Sequence, residues 1–250
     1  MVVTPAERYA VVSCHVERLL DDAVWDRYRR LLDARPGGFR AASLVRPADP
    51  AAGEDEALWL ERARALATLG PLGHHTHWTA PDHARPTGGV PGERVAAEGR
   101  RLREAGLAPT LFCGGGWYTD EAVAEACAEL GYVDCTPRAS RPAYLAEGER
   151  WASLEGPATI ALPSGRRLRS IPTTHSLGDL ARALRSRVPL PPLTHVYLHD
   201  TDLLDRRRRA LARVLLPLLA RRSTATDLDA LAATNVTSTV DVVWDDVARL

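Results

Sequence analysis

Six of the eight histidines fall in three short segments, each closing an apolar, strand-like run: residues 11–17 (VVSCHVE), 72–78 (LGHHTHW) and 195–200 (HVYLHD). Strand ends are where α/β folds gather active-site groups from distant parts of a chain. Side chains two apart on a strand share a face. His75 and His77 can therefore converge while His74 and Thr76 point away, and His15 stands in the same relation to Glu17. Imidazoles together with a carboxylate suit zinc or another borderline divalent ion. Glu17, His75 and His77 would give such an ion three protein ligands and leave a position for a water whose pKa it lowers. The competing reading is a set of unconnected histidines on a polar rim, because the sequence does not make the three strands neighbours.

His199 differs from the others. It ends the run Val196-Tyr197-Leu198 and precedes Asp200 and Asp202. An imidazole titrates near neutrality and can protonate a leaving group, and a nearby carboxylate raises its pKa and orients it. Alternatively it is a rim histidine, with Asp200 or Asp202 capping the following helix. His195 starts the same strand and is expected at its opposite end, in a structural role. Gly114-Gly115-Gly116-Trp117-Tyr118 follows another strand. There, glycines let backbone N–H groups approach a ligand, Trp117 can stack on a sugar ring, and an N–H near Trp117 or Tyr118 can hold an oxyanion. A tight turn with two half-buried aromatics is the plainer alternative. Trp78 either lines the same cleft or packs beneath the loop after it. Cys14 and Cys113 read as small core residues, since no neighbour in sequence activates a thiolate.

These groups must be positioned by elements that alternate in period. Residues 9–15, 39–45, 72–78, 109–113, 131–136 and 194–198 read as strands. Helices are expected over 22–33, 54–69, 93–104, from Thr119, and over 177–187 and 204–221. Pro36-Gly37-Gly38 breaks the first helix. The Pro- and Gly-rich loop over 79–91 is long enough to be functional. Residues 138–155 read as irregular, and 159–162 with 168–171 as a β-hairpin insertion. A short helix over 226–233 and a last strand over 235–243 complete the chain. About seven βα units in a single domain over 1–250 argue for a parallel sheet covered by helices. A closed or nearly closed (β/α) barrel is the first choice and an open doubly wound sheet the second. The glycines at 114–116 make neither GxGxxG nor a P-loop.

Zero formal net charge gives no general field for nucleic acid or an anionic membrane. The 32 basic residues are all Arg, and the run at 206–209 reads as solvated helix surface. No apolar run approaches the roughly 20 residues of a membrane span. The N-terminal residues lack a secretory pattern, and four cysteines without a CxxC pair suit a reducing compartment, so a cytoplasmic location is expected.

Taken together, these segments resemble the polysaccharide deacetylase (NodB-homology, carbohydrate esterase family 4) proteins. Ser13-Cys14-His15-Val16-Glu17 is similar to the family's Ser-Phe-Asp-Val-Glu first motif, and the stretch from Gly73 to Thr79 to its His-Thr/Ser-x-x-His second motif. Leu130-Gly131-Tyr132 resembles an element after the third motif, and Val196 to Asp200 the last motif with its Leu-x-His ending. The resemblance spans residues 9 to about 233 with motif order intact. Three positions depart from it: His15 stands at the catalytic-base Asp, Thr79 at the second metal His, and Cys113-Gly114-Gly115 replaces an Arg-Pro. The resemblance implies a distorted (β/α) barrel, Glu17 and His75 as metal ligands and His199 as general acid. His77 or His83 would replace the missing ligand, and His15 would serve as base or ligand.

The leading expectation is a metal-dependent hydrolase, with zinc as the ion, that removes an N-acetyl group from an amino sugar, a glycan precursor or a small glycosylated metabolite. His15 would be the base, His199 the acid, and Trp117 and Tyr118 would contact substrate. A catalytically impaired carbohydrate-binding protein of the same fold is the alternative, and another HxH metallohydrolase a third.

Overall fold

The computed structural model describes residues 7–186, 189–233 and 240–249. Its strands are β1 (Tyr9–Val16), β2 (Ala42–Val45), β3 (Leu72–Thr76), β4 (Leu111–Gly114), β5 (Val133–Asp134), β6 (Trp151–Ala152), β7 (Ala158–Ala161), β8 (Arg167–Ser170), β9 (His175–Ser176), β10 (Leu193–His199), β11 (Thr224–Ala225), β12 (Val240–Val243) and β13 (Ala248–Arg249). The helices are α1 (Asp22–Ala34), α2 (Glu56–Ala67), α3 (Pro91–Glu104), α4 (Glu121–Glu129), α5 (Leu177–Arg185), α6 (Arg206–Ala220), α7 (Leu228–Ala233) and α8 (Trp244–Val247). The main sheet runs β12-β7-β8-β5-β4-β3-β2-β1-β10-β9, with β11 added on β1. All its pairings are parallel except β7 with β8.

The result is a mixed α/β chain with a mostly parallel central sheet. Among the described residues the ladders do not close into the expected barrel: the path ends at β12 and at β9. Residues 171–174 carry the chain from β8, beside β5, to β9, beside β10. The Thr173 N–H bonds to Pro137 O and the Thr174 N–H to His195 O on the way. The expected hairpin is present, but β8 also pairs parallel to β5, so the hairpin is part of the main sheet and not an insertion. The expected strand over 235–243 is described only from Val240. The helix expected from Thr119 begins two residues later, at Glu121, because the Asp120 side chain accepts from the Val123 N–H and caps it.

Strand β1 shows why the sequence forms these layers. Ala10, Val12, Cys14 and Val16 pack into the core beneath the helices. Val11 faces the opposite way, into a second core with Leu44, Leu111, Val133, Ile171 and Leu193. Burial on both faces is the signature of parallel strands covered by helices. The odd-numbered residues of β1 that follow Val11 are polar: Ser13 and His15. They therefore climb from an apolar floor to a polar rim. Ser13 Oγ lies 2.8 Å from His195 Nε2, and both are fully buried. His195 is thus a structural residue in the sheet interior rather than at a distant end, and burial brings its pKa down to about 4.

On the helix side, buried Asp134 accepts from the Thr136 N–H at 2.8 Å, yet burial outweighs that bond and raises its carboxyl to about 6. A carboxyl whose folded pKa is raised stabilises the fold most at low pH and loses that contribution as pH rises through the folded value. Relative to Asp134→Asn, the wild-type protein should lose ~3 kcal/mol of unfolding free energy between pH ~4 and ~7. Urea titrations of both proteins across that window measure the difference; parallel curves would refute it.

Candidate metal centre

The three histidine segments become neighbours because β3, β2, β1 and β10 lie side by side, with β4 beside β3. His15 is opposite His199, and His75 opposite Cys113. Three imidazole nitrogens converge on one carboxylate oxygen: the Nε2 atoms of His75, His77 and His199 lie 3.5, 3.4 and 3.6 Å from Glu17 Oε1. His15 completes the cluster, its ring stacked on His75 at 4.5 Å and on Tyr197 at 5.5 Å, with Trp117 tilted against it at 5.2 Å. The expected set Glu17, His75 and His77 offers ligand atoms within 4.8 Å of one another, as do His15, Glu17 and His199. His83 is not among these groups. Its side chain is exposed and bonds Asp82, while Thr79 bonds Thr87.

Backbone carbonyls fix the tautomers. His75 Nδ1–H donates to Cys113 O at 2.7 Å, and His77 Nδ1–H to Pro81 O at 2.5 Å. A carbonyl can only accept, so in the neutral rings the Nε2 lone pairs face Glu17. Both Nε2 atoms are buried with no hydrogen-bond partner. Two lone pairs aimed at a carboxylate repel it, unless each ring carries an extra proton or a cation sits between. Burial, the largest influence on His75, lowers its pKa and opposes the proton. The donor set therefore fits a divalent cation held by Glu17, His75 and His77, with each imidazole oriented from behind by a carbonyl. Where those rings do carry protons, burial acts to raise Glu17 but the His75 and His77 contacts outweigh it and hold the carboxyl well below its usual range.

Glu17 lies just beyond β1 and is pinned through its main chain. Arg46 Nε donates to Glu17 O at 3.1 Å while its guanidinium is paired with Glu54. The next residue's N–H, that of Arg18, donates to Asp200 Oδ2 at 2.8 Å. Asp200 is fully buried, which raises its carboxyl to about 6. The sequence pattern marks neither Arg46 nor Asp200 for this role; it suggests Asp200 as a helix cap or a partner of His199. Asp202 accepts from the His199 main-chain N–H, not from its ring.

The loop after β3 holds His77. Beyond supplying Pro81 O, it sends the His83 carbonyl to the Trp78 N–H and Arg85 to Gly116 O at 2.6 Å. The glycines at 114–116 make room for it: a Cβ on Gly115 would lie 2.6 Å from Thr76 O and 3.0 Å from His77 Cδ2. Trp78 packs beneath this loop, its Nε1–H donating to Gly115 O. On the other face of β3, His74 and Thr76 bond Glu98 of α3, as alternation requires.

Trp117 and Tyr118 part company. Trp117 is buried in a left-handed conformation at φ 56°, which costs a non-glycine residue backbone energy and turns its ring onto His15. Tyr118 instead contacts Trp78 and Arg85, and its hydroxyl donates to Asp120 at 2.6 Å. The Tyr118 N–H is used by Gly115 O, so it is not a free oxyanion donor. Cys113, read as core, has Sγ 3.5 Å from His15 Nε2; burial pushes its thiol well up, so it remains S–H. Tyr197 also joins the cluster unforeseen, as the inward residue between His195 and His199. The cluster meets solvent through Glu17 and His199, whose side chains are 24% and 36% exposed, while His15, His75 and His77 are buried.

No protein-family model matches the chain, and no curated protein matches its sequence. Among solved structures the fold is similar to that of a 4-alpha-glucanotransferase from Thermococcus litoralis, with a TM-score of 0.52 and 11% identity over 97% of this chain. The chain spans 40% of that protein's length. At this identity the likeness concerns the fold alone. No helix among the described residues is long and apolar enough to cross a membrane.

Metal analysis of the purified protein should find about one equivalent of zinc or a similar divalent ion, lost in His75→Ala. Asp200→Ala, which frees the residue after Glu17, should weaken metal affinity by about 10–100-fold, as outer supports of metal ligands do. Competition with a chromogenic chelator reads both. Unchanged affinity in His75→Ala would remove the site.

Proposed function

We propose that the chain is a metal-dependent hydrolase that releases an acetyl group from the nitrogen of an amino sugar or related glycan precursor. The observation that carries this reading is the pair of buried, unpartnered Nε2 atoms of His75 and His77 facing Glu17. A divalent ion in that position supplies Lewis acidity toward a carbonyl and a water acidified to near neutrality. His199 is the exposed member of the cluster. It can hand a proton from Nε2 to a departing amine and recover it from solvent. His15 is held neutral, its pKa driven well below the ordinary value by burial and then by the neighbouring His75 and His199. A ring so weakly basic serves better as a packed wall or neutral ligand than as the general base expected from the sequence. The resemblance of the motif order to polysaccharide deacetylases supports amide hydrolysis. The 4-alpha-glucanotransferase of similar fold favours a carbohydrate substrate.

With N-acetylated amino sugars and added zinc, acetate release should be measurable and fall by about a hundredfold or more in His199→Ala, as for loss of a general acid. His15→Ala should cost less than His199→Ala. Metal-loaded protein that releases no acetate from any of these sugars would end the deacetylase reading while leaving the metal centre standing.

A further inference from the structure

Beside the histidine cluster is a cavity of about 460 Å³, lined among others by Trp117, Arg138, Tyr144, His175 and Tyr197. Its size suits a monosaccharide-scale group. Two of its walls are shared with the metal centre: Trp117 and Tyr197 touch the cavity and also pack on His15, and Tyr197 packs on His199.

Arg138 is the unusual member of this lining. It is only 7% exposed. Its guanidinium carbon lies 4.5 Å from the Trp117 ring centre and 5.1 Å from that of Tyr197. Its Nε and Nη1 atoms are buried without a hydrogen-bond partner. Asp179, the acid that lines the same cavity, is taken up by Ser176 and Arg182. Arg141, a second cation, also faces the cavity. A guanidinium cannot shed its charge, and among the described residues Arg138 has Tyr197 as a polar neighbour but no carboxylate in ion-pair reach, which leaves the buried charge without the counter-charge it requires. Its backbone is built in: the Arg138 N–H donates to Ala152 O at 2.9 Å, and its carbonyl accepts from the Leu154 N–H at 3.0 Å.

We propose that this cavity is an anion-binding subsite in which Arg138 grips a carboxylate or phosphate of the substrate while the reacting amide lies at the histidine cluster. Guanidinium is the side chain suited to planar, multi-donor recognition of either group. Exposed Tyr144 offers an aromatic face to the ring that carries it. The substrate class narrows from amino sugars in general to anionic ones. This rests on the proposed function for the reacting end only; the anion grip needs no chemistry.

Binding calorimetry on metal-free protein tests it with three probes: N-acetylglucosamine, its 6-phosphate, and N-acetylmuramic acid. At least one anionic probe should bind about tenfold or more tighter than the neutral sugar; which one does tells phosphate from carboxylate. Arg138→Met should abolish that preference, Arg138→Lys should retain part of it, and His75→Ala should leave it intact. Equal binding of all three probes, no binding of any, or a preference that survives Arg138→Met would overturn the proposal, the last by reducing Arg138 to a brace for Trp117. If Arg138→Met does not fold, the wild-type comparison and Arg138→Lys decide alone. Preference lost in His75→Ala would place the anion at the metal centre and also overturn it. The preference holding while acetate release fails would separate this subsite from the deacetylase reading.

Discussion

One carboxylate oxygen facing three imidazole nitrogens is the constraint that organises this molecule. Glu17 Oε1 lies within 3.6 Å of His75, His77 and His199. Backbone carbonyls at Cys113 and Pro81 dictate which nitrogens His75 and His77 present. Left alone, the arrangement is strained electrostatically, since like-signed density converges in a site mostly shut from water. Much of the surrounding structure prevents its relaxation. Arg46 holds the Glu17 carbonyl, Asp200 holds the next N–H, and the loop after β3 clamps His77 from behind. Gly115 is small because that loop passes over it. Such preorganisation is what a tight cation site needs, and it explains why a buried ion pair such as Arg46–Glu54 sits at the end of β2.

The parity of the strands decides which residues take part. On β1, β2, β3, β4 and β10 alternate side chains face an interior that is apolar at one end and polar at the other. Val11, Leu44, Leu111 and Leu193 form the floor. Ser13 and His195 form a hydrogen-bonded step above it, and His15, His75, Cys113 and Tyr197 the layer under the rim. The opposite faces of the same strands go to the helices, where His74 and Thr76 bond Glu98. Two neighbouring histidines thus have unrelated jobs, one in a helix contact and one at the centre.

That parity is what made much of the site legible in the sequence. The relations of His75 to His77 and of His15 to Glu17 follow from a period of two and needed only the strand assignment. What was not legible has identifiable causes. That the three strands are neighbours is set by long-range pairing, which no local pattern encodes. Nothing near Cys113 in sequence marks it, because its partner, His15, is 98 residues away. Arg138 lies in a stretch without periodicity, where isolated bridges to Ser153 and Thr173 and not a strand fix it. Adjacency in sequence pairs Trp117 with Tyr118, but the left-handed conformation of Trp117 itself sends the two rings to different neighbours. A count of βα units predicts a barrel because it does not reveal whether the last ladder forms; here residues 171–174 cross between β8 and β9 with isolated hydrogen bonds.

The identity of residue 15 then acquires a physical meaning. A carboxylate in its place would stand beside Glu17 in a buried site, and two acids that close cannot both ionise without a strong positive partner. An imidazole adds no negative charge. It stacks between His75 and Tyr197 and stays neutral because burial and neighbouring imidazoles oppose its protonation. The cluster thereby carries one formal anion, Glu17, and a divalent ion would leave it with net positive charge. A centre with that balance is less suited to generating a strong base than one with two carboxylates, and better suited to drawing in an anion. The buried Arg138, with two donor atoms unpartnered across the rings of Trp117 and Tyr197, adds to the same field. The lack of negative charge at residue 15 and the positive charge at residue 138 thus act in the same direction, although 123 residues separate them in the chain.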